Sequence, residues 1–328
     1  MKKAILLSAA ALLALASCTT RDLTPVQPEG NGTEDVRYSQ ISFSIADEGA
    51  TKATSVSDAA IGTAEGDVQI LVFSGNNLIA YGKNSASGKT VSMKVRNGAA
   101  DCYAVINAPD MSAVATKSEL LAKGVALTSN TTSKMWMLGS TSKTISGDTS
   151  ISIAVKRFLA KVEIDRIDAA MVSPALKAQD LTVNDITLLN VVGTTNFSFT
   201  GSPTPTYNKG AYSSSSADAL THDNVAAKIQ TGGKVTPHTT PHYFYCCPST
   251  ATSANSTKLS IKATLGSTPY YYTVDVPQPK ANTLYKITNL KITGPGTDDP
   301  NQIVSKSSIS FTITVTDWTT GFSKEVEY

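Results

Sequence analysis

Apolar residues recur at every second position in short runs, and turn residues end each run. Residues 40–46 set Ile41, Phe43 and Ile45 against Ser42 and Ser44. Residues 67–74 put Val68, Ile70 and Val72 on one face. Residues 307–318 set Ile309, Phe311, Ile313 and Val315 against Ser310, Thr312, Thr314 and Thr316. A period of two belongs to a strand with one buried face, whereas an amphipathic helix needs about 3.6. Further strands are expected at 89–95, 101–107, 134–138, 144–155 and 159–167, then at 181–191, 196–200, 242–247, 258–264, 270–276 and 284–292. Only 118–123, closed by Gly124, reads as helix. A chain of such strands hides its apolar faces by stacking sheets, so the expected class is all-β: two consecutive β-sandwiches with a minor helix. At 328 residues and 41% apolar content the chain can support two cores. The boundary is placed near Phe158, giving sandwiches over 53–158 and 159–328.

The amino terminus sets the compartment. Lys2 and Lys3 precede an apolar stretch over residues 4–16. That is shorter than the roughly 20 residues needed to span a bilayer. It reads as a secretory signal covering 1–17. The stretch ends Leu15-Ala16-Ser17-Cys18, which resembles the bacterial lipobox and implies lipidation of Cys18. Residues 19–37 are polar with several Pro and Gly, a tether behind the lipid. The formal net charge of +2 leaves no basic face for nucleic acid. Three further cysteines, Cys102, Cys246 and Cys247, are a poor disulfide set. They read as small buried residues, with Cys246 and Cys247 on opposite strand faces.

Motifs that carry chemistry are missing. His238 and His242 are four apart, but Pro237 and Pro241 argue against a helix, so the pair is expected to cap a turn. His222 lies in a polar stretch with no evident partner. There is no G-x-S-x-G elbow. Gly294-Pro295-Gly296 lacks the Lys-Ser/Thr of a phosphate loop and reads as a turn. The acidic pairs Asp47-Glu48 and Asp298-Asp299 read as solvated turn residues. The expectation is no enzyme, no catalytic residue, no metal site and no cofactor.

Four stretches in order resemble the fimbrillin family, the type V pilins of Bacteroidales. They are the lipobox with its tether; residues 67–75 followed by 101–109; Ile153 to Val162, with its basic Lys156-Arg157 crossing; and Leu290 to Thr297, running on to Val315-Thr316-Asp317-Trp318. The resemblance implies two transthyretin-like β-sandwiches. It also implies a subunit of surface fimbriae that supports adhesion and biofilm formation, with other fimbrillin subunits as partners. The precursor would be held at the outer membrane through its lipid (palmitate on Cys18). A trypsin-like protease would remove the amino-terminal segment, and a carboxy-terminal strand of another subunit would fill the vacated groove. Lys52-Ala53 occupies the position of the family's processing site, with Lys where well-known members carry Arg. Of the basic sites Arg21, Arg37 and Lys52, only a cut after Lys52 frees the 40–46 strand, so 18–52 is expected to be a propeptide. The donor is expected at 307–318, through Ile309, Phe311, Ile313, Val315 and Trp318, in place of Ile41, Phe43 and Ile45. Four donor side chains against three gives an expected gain of about one residue's burial, roughly 1.5–3 kcal/mol. The subunit's own sandwiches are expected not to need those side chains. Other readings stay open: 307–318 as an edge strand of the second sandwich, with 322–328 as the next donor candidate; an accessory tip or anchor fimbrillin; and a glycan-binding surface lipoprotein using Tyr270–Tyr272, Trp136 and Trp318.

Overall fold

The computed structural model describes residues 36–47, 61–62, 64–85, 88–131, 134–209, 220–317 and 323–327, the last of these by backbone alone. Cys18, Lys52, Ala53 and Trp318 lie outside the described residues. The fold is all-β.

The first sandwich is built from β1 (Tyr38–Asp47), β2 (Val68–Ser74), β3 (Asn77–Lys83), β4 (Thr90–Arg96), β5 (Gly98–Ile106), β6 (Gly124–Ala126), β7 (Met137–Ile145) and β8 (Thr149–Arg157). Helix α1 (Lys117–Ala122) sits between β5 and β6. It starts where Thr116 and Glu119 cap each other's backbone amides, a reciprocal box legible in Thr-x-x-Glu. Seven strands run in the order β3-β2-β5-β7-β8-β1-β4. The β7–β8 step is held by only two residue pairs, Met137↔Arg157 and Leu138↔Lys156. There the sheet folds over, and the β4-β1-β8 part faces the β3-β2-β5-β7 part. Gly139 permits the fold, because a Cβ there would meet the Ala154 carbonyl. The alternating face of each strand fills the space between: Val68, Ile70, Val72, Ala104 and Ile106 against Ile41, Phe43, Val91, Met93, Ile151, Ile153 and Val155.

The second sandwich follows without a linker. Its strands are β9 (Ala160–Ile164), β10 (Ile167–Ala169), β11 (Leu181–Leu189), β12 (Thr194–Asn196), β13 (Thr221–His222), β14 (Ala227–Thr231), β15 (Lys234–Val235), β16 (His242–Cys246), β17 (Lys258–Leu265), β18 (Thr268–Asp275), β19 (Thr283–Ile287), β20 (Leu290–Ile292), β21 (Ile309–Ser310), β22 (Thr312–Asp317) and β23 (Ser323–Glu327). One sheet runs β15-β14-β11-β17-β18, with β13 also paired to β11. The other runs β16-β9-β19-β22-β23, and β10-β20-β21 continue its central strands past a break. A single core lies between, including Val162, Leu188, Phe244, Ile261, Tyr285 and Ile313. Cys102, Cys246 and Cys247 are buried and free. Burial pushes the Cys102 thiol up to about 11 and the Cys247 thiol up to about 12.

Several expectations change. The runs expected at 134–138 and 144–155 are β7 and β8, divided at residues 146–148; the polar stretch 139–143 is strand because β5 pairs it along its whole length. The runs at 159–167, 284–292 and 307–318 are each broken in two. The run at 196–200 is strand only to Asn196. A second helix, α2 (Pro174–Lys177), opens at the Ser173-Pro174 signal and was not expected.

Candidate functional site: the first strand and its slot

Strand β1 has a topological peculiarity. It lies in the interior of its sheet, yet both neighbours come from far along the chain. It pairs antiparallel with β4, from Tyr38↔Arg96 to Ser44↔Thr90, and parallel with β8, from Ile41↔Thr149 to Asp47↔Val155. Ile41 and Phe43 are fully buried and Ile45 is half-buried. Burying the first two contributes on the order of 3–6 kcal/mol. Polar contacts fix the register. The Gln40 amide donates to Asp148 Oδ1 at 2.8 Å, Ser39 Oγ donates to Asn97 Oδ1 at 2.6 Å, and the Asn97 amide donates to the Arg37 carbonyl at 2.8 Å.

Downstream, β1 is joined to the rest only through residues 48–60. Hydrolysis anywhere in that stretch, Lys52 included, turns β1 into a separate peptide held by hydrogen bonds and packing. A cut after Arg37 leaves it attached. Its loss opens a slot with two unpaired walls. Val91, Met93 and Val95 line one side, and Ile151, Ile153 and Val155 line the other. Such a slot accepts one extended strand: two ladders bind its backbone, and alternate side chains enter the core. The wall strands were legible in the sequence. Their pairing was not, because nothing local encodes which distant strand lies between them.

The expected donor residues sit elsewhere. Ile309, Phe311 and Ile313 are 3%, 6% and 1% exposed, inside the second sandwich, and Val315 packs against the same core. β22 is an interior strand, between β19 and β23. The expectation that this sandwich can spare those side chains is therefore overturned. Ile313→Asp would place a charge in the subunit's own core. The expected gain of one residue's burial falls too, since a strand already buried at home only exchanges one core for another.

Other candidates resolve differently. Tyr272 is buried, and its hydroxyl donates to the Gly294 carbonyl at 3.0 Å. Trp136 packs edge-on against Phe197 at the junction of the sandwiches. Neither offers an exposed aromatic platform. His222, expected to lack a partner, has one: its Nδ1 lies 2.8 Å from His242 Nδ1. His242 Nε2 in turn lies 2.8 Å from His238 Nε2. His242 uses its two nitrogens in opposite directions, so the three rings do not converge on a point. Among the described residues no cluster of three such groups is placed to hold a metal ion.

Compared with solved structures, the chain aligns over most of its length with several. A candidate cell-adhesion protein from Bacteroides eggerthii superimposes with a TM-score of 0.63 at 20% identity, over 86% of this chain and 97% of that one. A fimbrilin from Porphyromonas gingivalis superimposes at 0.60 and 17% identity, over 86% and 98%. This is the fimbrillin fold. A candidate cell-adhesion protein from Parabacteroides distasonis shares it at 0.59 and 15% identity, over 86% and 100%. No protein-family model and no curated protein matches the sequence.

Proposed function

We propose that this chain is a structural subunit of a surface fimbria, exported as a lipoprotein through Cys18, cut after Lys52 and polymerised by strand exchange. The observation that carries the reading is the placement of β1. An interior strand at the amino-terminal end, bounded by distant neighbours and tethered through one cleavable stretch, is what a strand-exchange polymer needs its subunit to surrender. The shared fimbrillin fold supports the same reading. Partners are then other fimbrillin subunits and a trypsin-like protease that accepts Lys. The product is a cell-surface fibre, and the precursor is lipid-anchored at the outer membrane.

The donor belongs to the carboxy-terminal segment, with Ile309, Phe311, Ile313 and Val315 replacing Ile41, Phe43 and Ile45. A specific observation favours a second donor. β23 is the last strand, lies at a sheet edge and pairs only with β22. As an edge strand it detaches by breaking one ladder, whereas β22 must break two.

The test is amino-terminal sequencing of protein sheared from cells, beside an electrophoretic ladder run without boiling. The expected mature terminus is Ala53, and the expected pattern is a ladder of multimers. In Lys52→Ala the expected product is a longer, lipid-bearing monomer. Normal fibres from that variant with residues 40–46 still attached would falsify the vacated-slot mechanism.

A further inference from the structure

A cavity in the second sandwich, with apolar surface and several polar side chains in its walls, is unrelated to the strand slot. Its volume is about 530 Å³, and its walls include Asn190, Pro205, Lys209, Asn255, Lys258 and Asn301. That size falls within the range of small-molecule sites, roughly 300–1,000 Å³.

The charge of the walls is one-sided. Among the described residues two lysines line the cavity and no carboxylate does. Lys258 is only 5% exposed, and its ammonium donates to the Ala254 carbonyl at 3.0 Å. Asn190 Nδ2 donates to the same carbonyl at 2.9 Å, so that oxygen is shared. Among the described residues Lys258 has no ion pair. Its cross-strand neighbour Asp275 accepts instead from Ser256 Oγ at 2.6 Å. A buried ammonium served by one carbonyl is short of negative charge, and burial of such a cation is costly until an anion reaches it. Lys209, at the exposed rim, adds a second cation on the approach.

We infer that this cavity binds a small carboxylate-bearing sugar. The carboxylate meets Lys258 and Lys209. Asn255, Asn301 and Thr204 serve the ring hydroxyls, Asn190 Nδ2 being committed to the Ala254 and Ser256 carbonyls, and the Pro205 ring offers an apolar surface to the sugar's C–H face. The volume exceeds what a bare inorganic anion fills, and amide-rich walls suit hydroxyls better than a phosphate's dense charge.

The experiment is calorimetric titration of the purified full chain at low salt with D-glucuronate and N-acetylneuraminate, with glucose and sulfate as controls. The expected result is saturable binding of at least one acidic sugar in the millimolar range and none of glucose. Lys258→Met should weaken it by roughly ten-fold or more. Lys209→Met, an exposed change that leaves the fold alone, should weaken it less and reduce its salt dependence. No saturable binding of either acidic sugar overturns the inference, as does binding unchanged in both variants. Sulfate binding as tightly as the sugars overturns the saccharide assignment.

Discussion

The chain's three histidines come together from three places in the sequence. His222 is on β13, in one sheet of the second sandwich. His242 is on β16, in the other sheet. His238 has its backbone paired with Ile167 of β10. The hydrogen-bonded row therefore ties the two sheets at one edge, and in three neutral rings both contacts are made when each N–H faces a bare nitrogen. Burial first, then the neighbouring His222 and His238, holds His242 down at about 4. Burial also lowers His222 and His238. Asp223, beside His222, pulls the other way. Across the row, Glu163 and Asp165 of the β9 strand end are engaged by Lys161 and Lys286, and Asp168 is engaged by Arg166. With a folded value below the unfolded one of about 6.5, the unfolded chain binds more protons between the two. Stability is thus full above about pH 6.5 and is lost as pH falls through about 4, on the order of 3 kcal/mol from His242. Thermal melts across that window should show the loss, and His242→Gln should flatten it. An unchanged pH slope in that variant would show that the row does not govern acid stability. A second residue-scale feature lies on the same strand. Lys161 is fully buried, 2.9 Å from Glu163 Oε2, while Lys286 reaches Glu163 Oε1 at 3.0 Å and Asp165 Oδ2 at 2.8 Å. Lys161→Met leaves Glu163 half-compensated and should lower stability by about 3–5 kcal/mol. Glu163→Gln in the same background should restore part of it, read by denaturant titration.

Among the elements, a small two-stranded sheet does work that no alternation announces. β12, from the second sandwich, pairs antiparallel with β6 of the first, Thr194↔Ala126 to Asn196↔Gly124. Just beyond it, Phe197 and Phe199 fold over Phe158, with ring centroids 5.0 and 4.7 Å away. Phe158 is fully buried, at the point where the chain passes from one sandwich to the other. Phe158→Ala should cost about 3–5 kcal/mol. It should also split a joint calorimetric transition into two, because the aromatic cluster is shared between the cores. A single, equally sharp transition in the variant would mean that the sandwiches are coupled elsewhere. The same elements show what a sequence of this kind discloses. Strands β1, β2, β4, β5 and β17 have one buried and one wet face or a dense apolar run, and the period of two marks them directly. β3 and β14 lack a clear alternation, because each carries few β-branched residues and draws its pairing from a neighbour: β3 from β2 across Gly75, β14 from β11. β9 carries two charged residues in a wholly buried strand, a pattern that reads as surface until Lys161 and Glu163 are seen to neutralise each other. Short-range patterning sets which segments are strands. It is silent on which strands meet, and the histidine row and the β1 slot both depend on that.

At the scale of the whole molecule, the question is how a subunit gives up a strand it needs in order to accept another that its neighbour also needs. β1 contributes Ile41 and Phe43 to one core, and the expected donor contributes Ile309, Phe311 and Ile313 to another. On side-chain burial the two moves nearly cancel. The direction must come from removing the competitor: once residues 48–60 are cut and the β1 peptide diffuses away, the slot's two unpaired edges and its exposed apolar walls have no resident strand. A chain trimmed to begin at Ala53 and kept dilute should therefore hold a weakened first sandwich beside an intact second one. Calorimetry should show a lower transition, that of the first sandwich, split off from the joint one by the loss of about 3–6 kcal/mol. A synthetic peptide of residues 37–47 should restore it. A peptide of residues 307–317 should restore it as well if that segment is the donor, whereas one covering 322–328 should do so if the edge strand β23 is. The untrimmed chain should respond to none of them, since its slot is filled. If no peptide raises the lower transition of the trimmed chain, the slot is not a strand acceptor, and polymerisation by exchange into it is ruled out. If the 307–317 peptide alone acts, the interior strand β22 must leave its own sandwich before a fibre can grow. Polymerisation should then accelerate under conditions that loosen the second sandwich without unfolding the first, among them the fall from about pH 6.5 to about 4 over which the histidine row loses its stabilising effect.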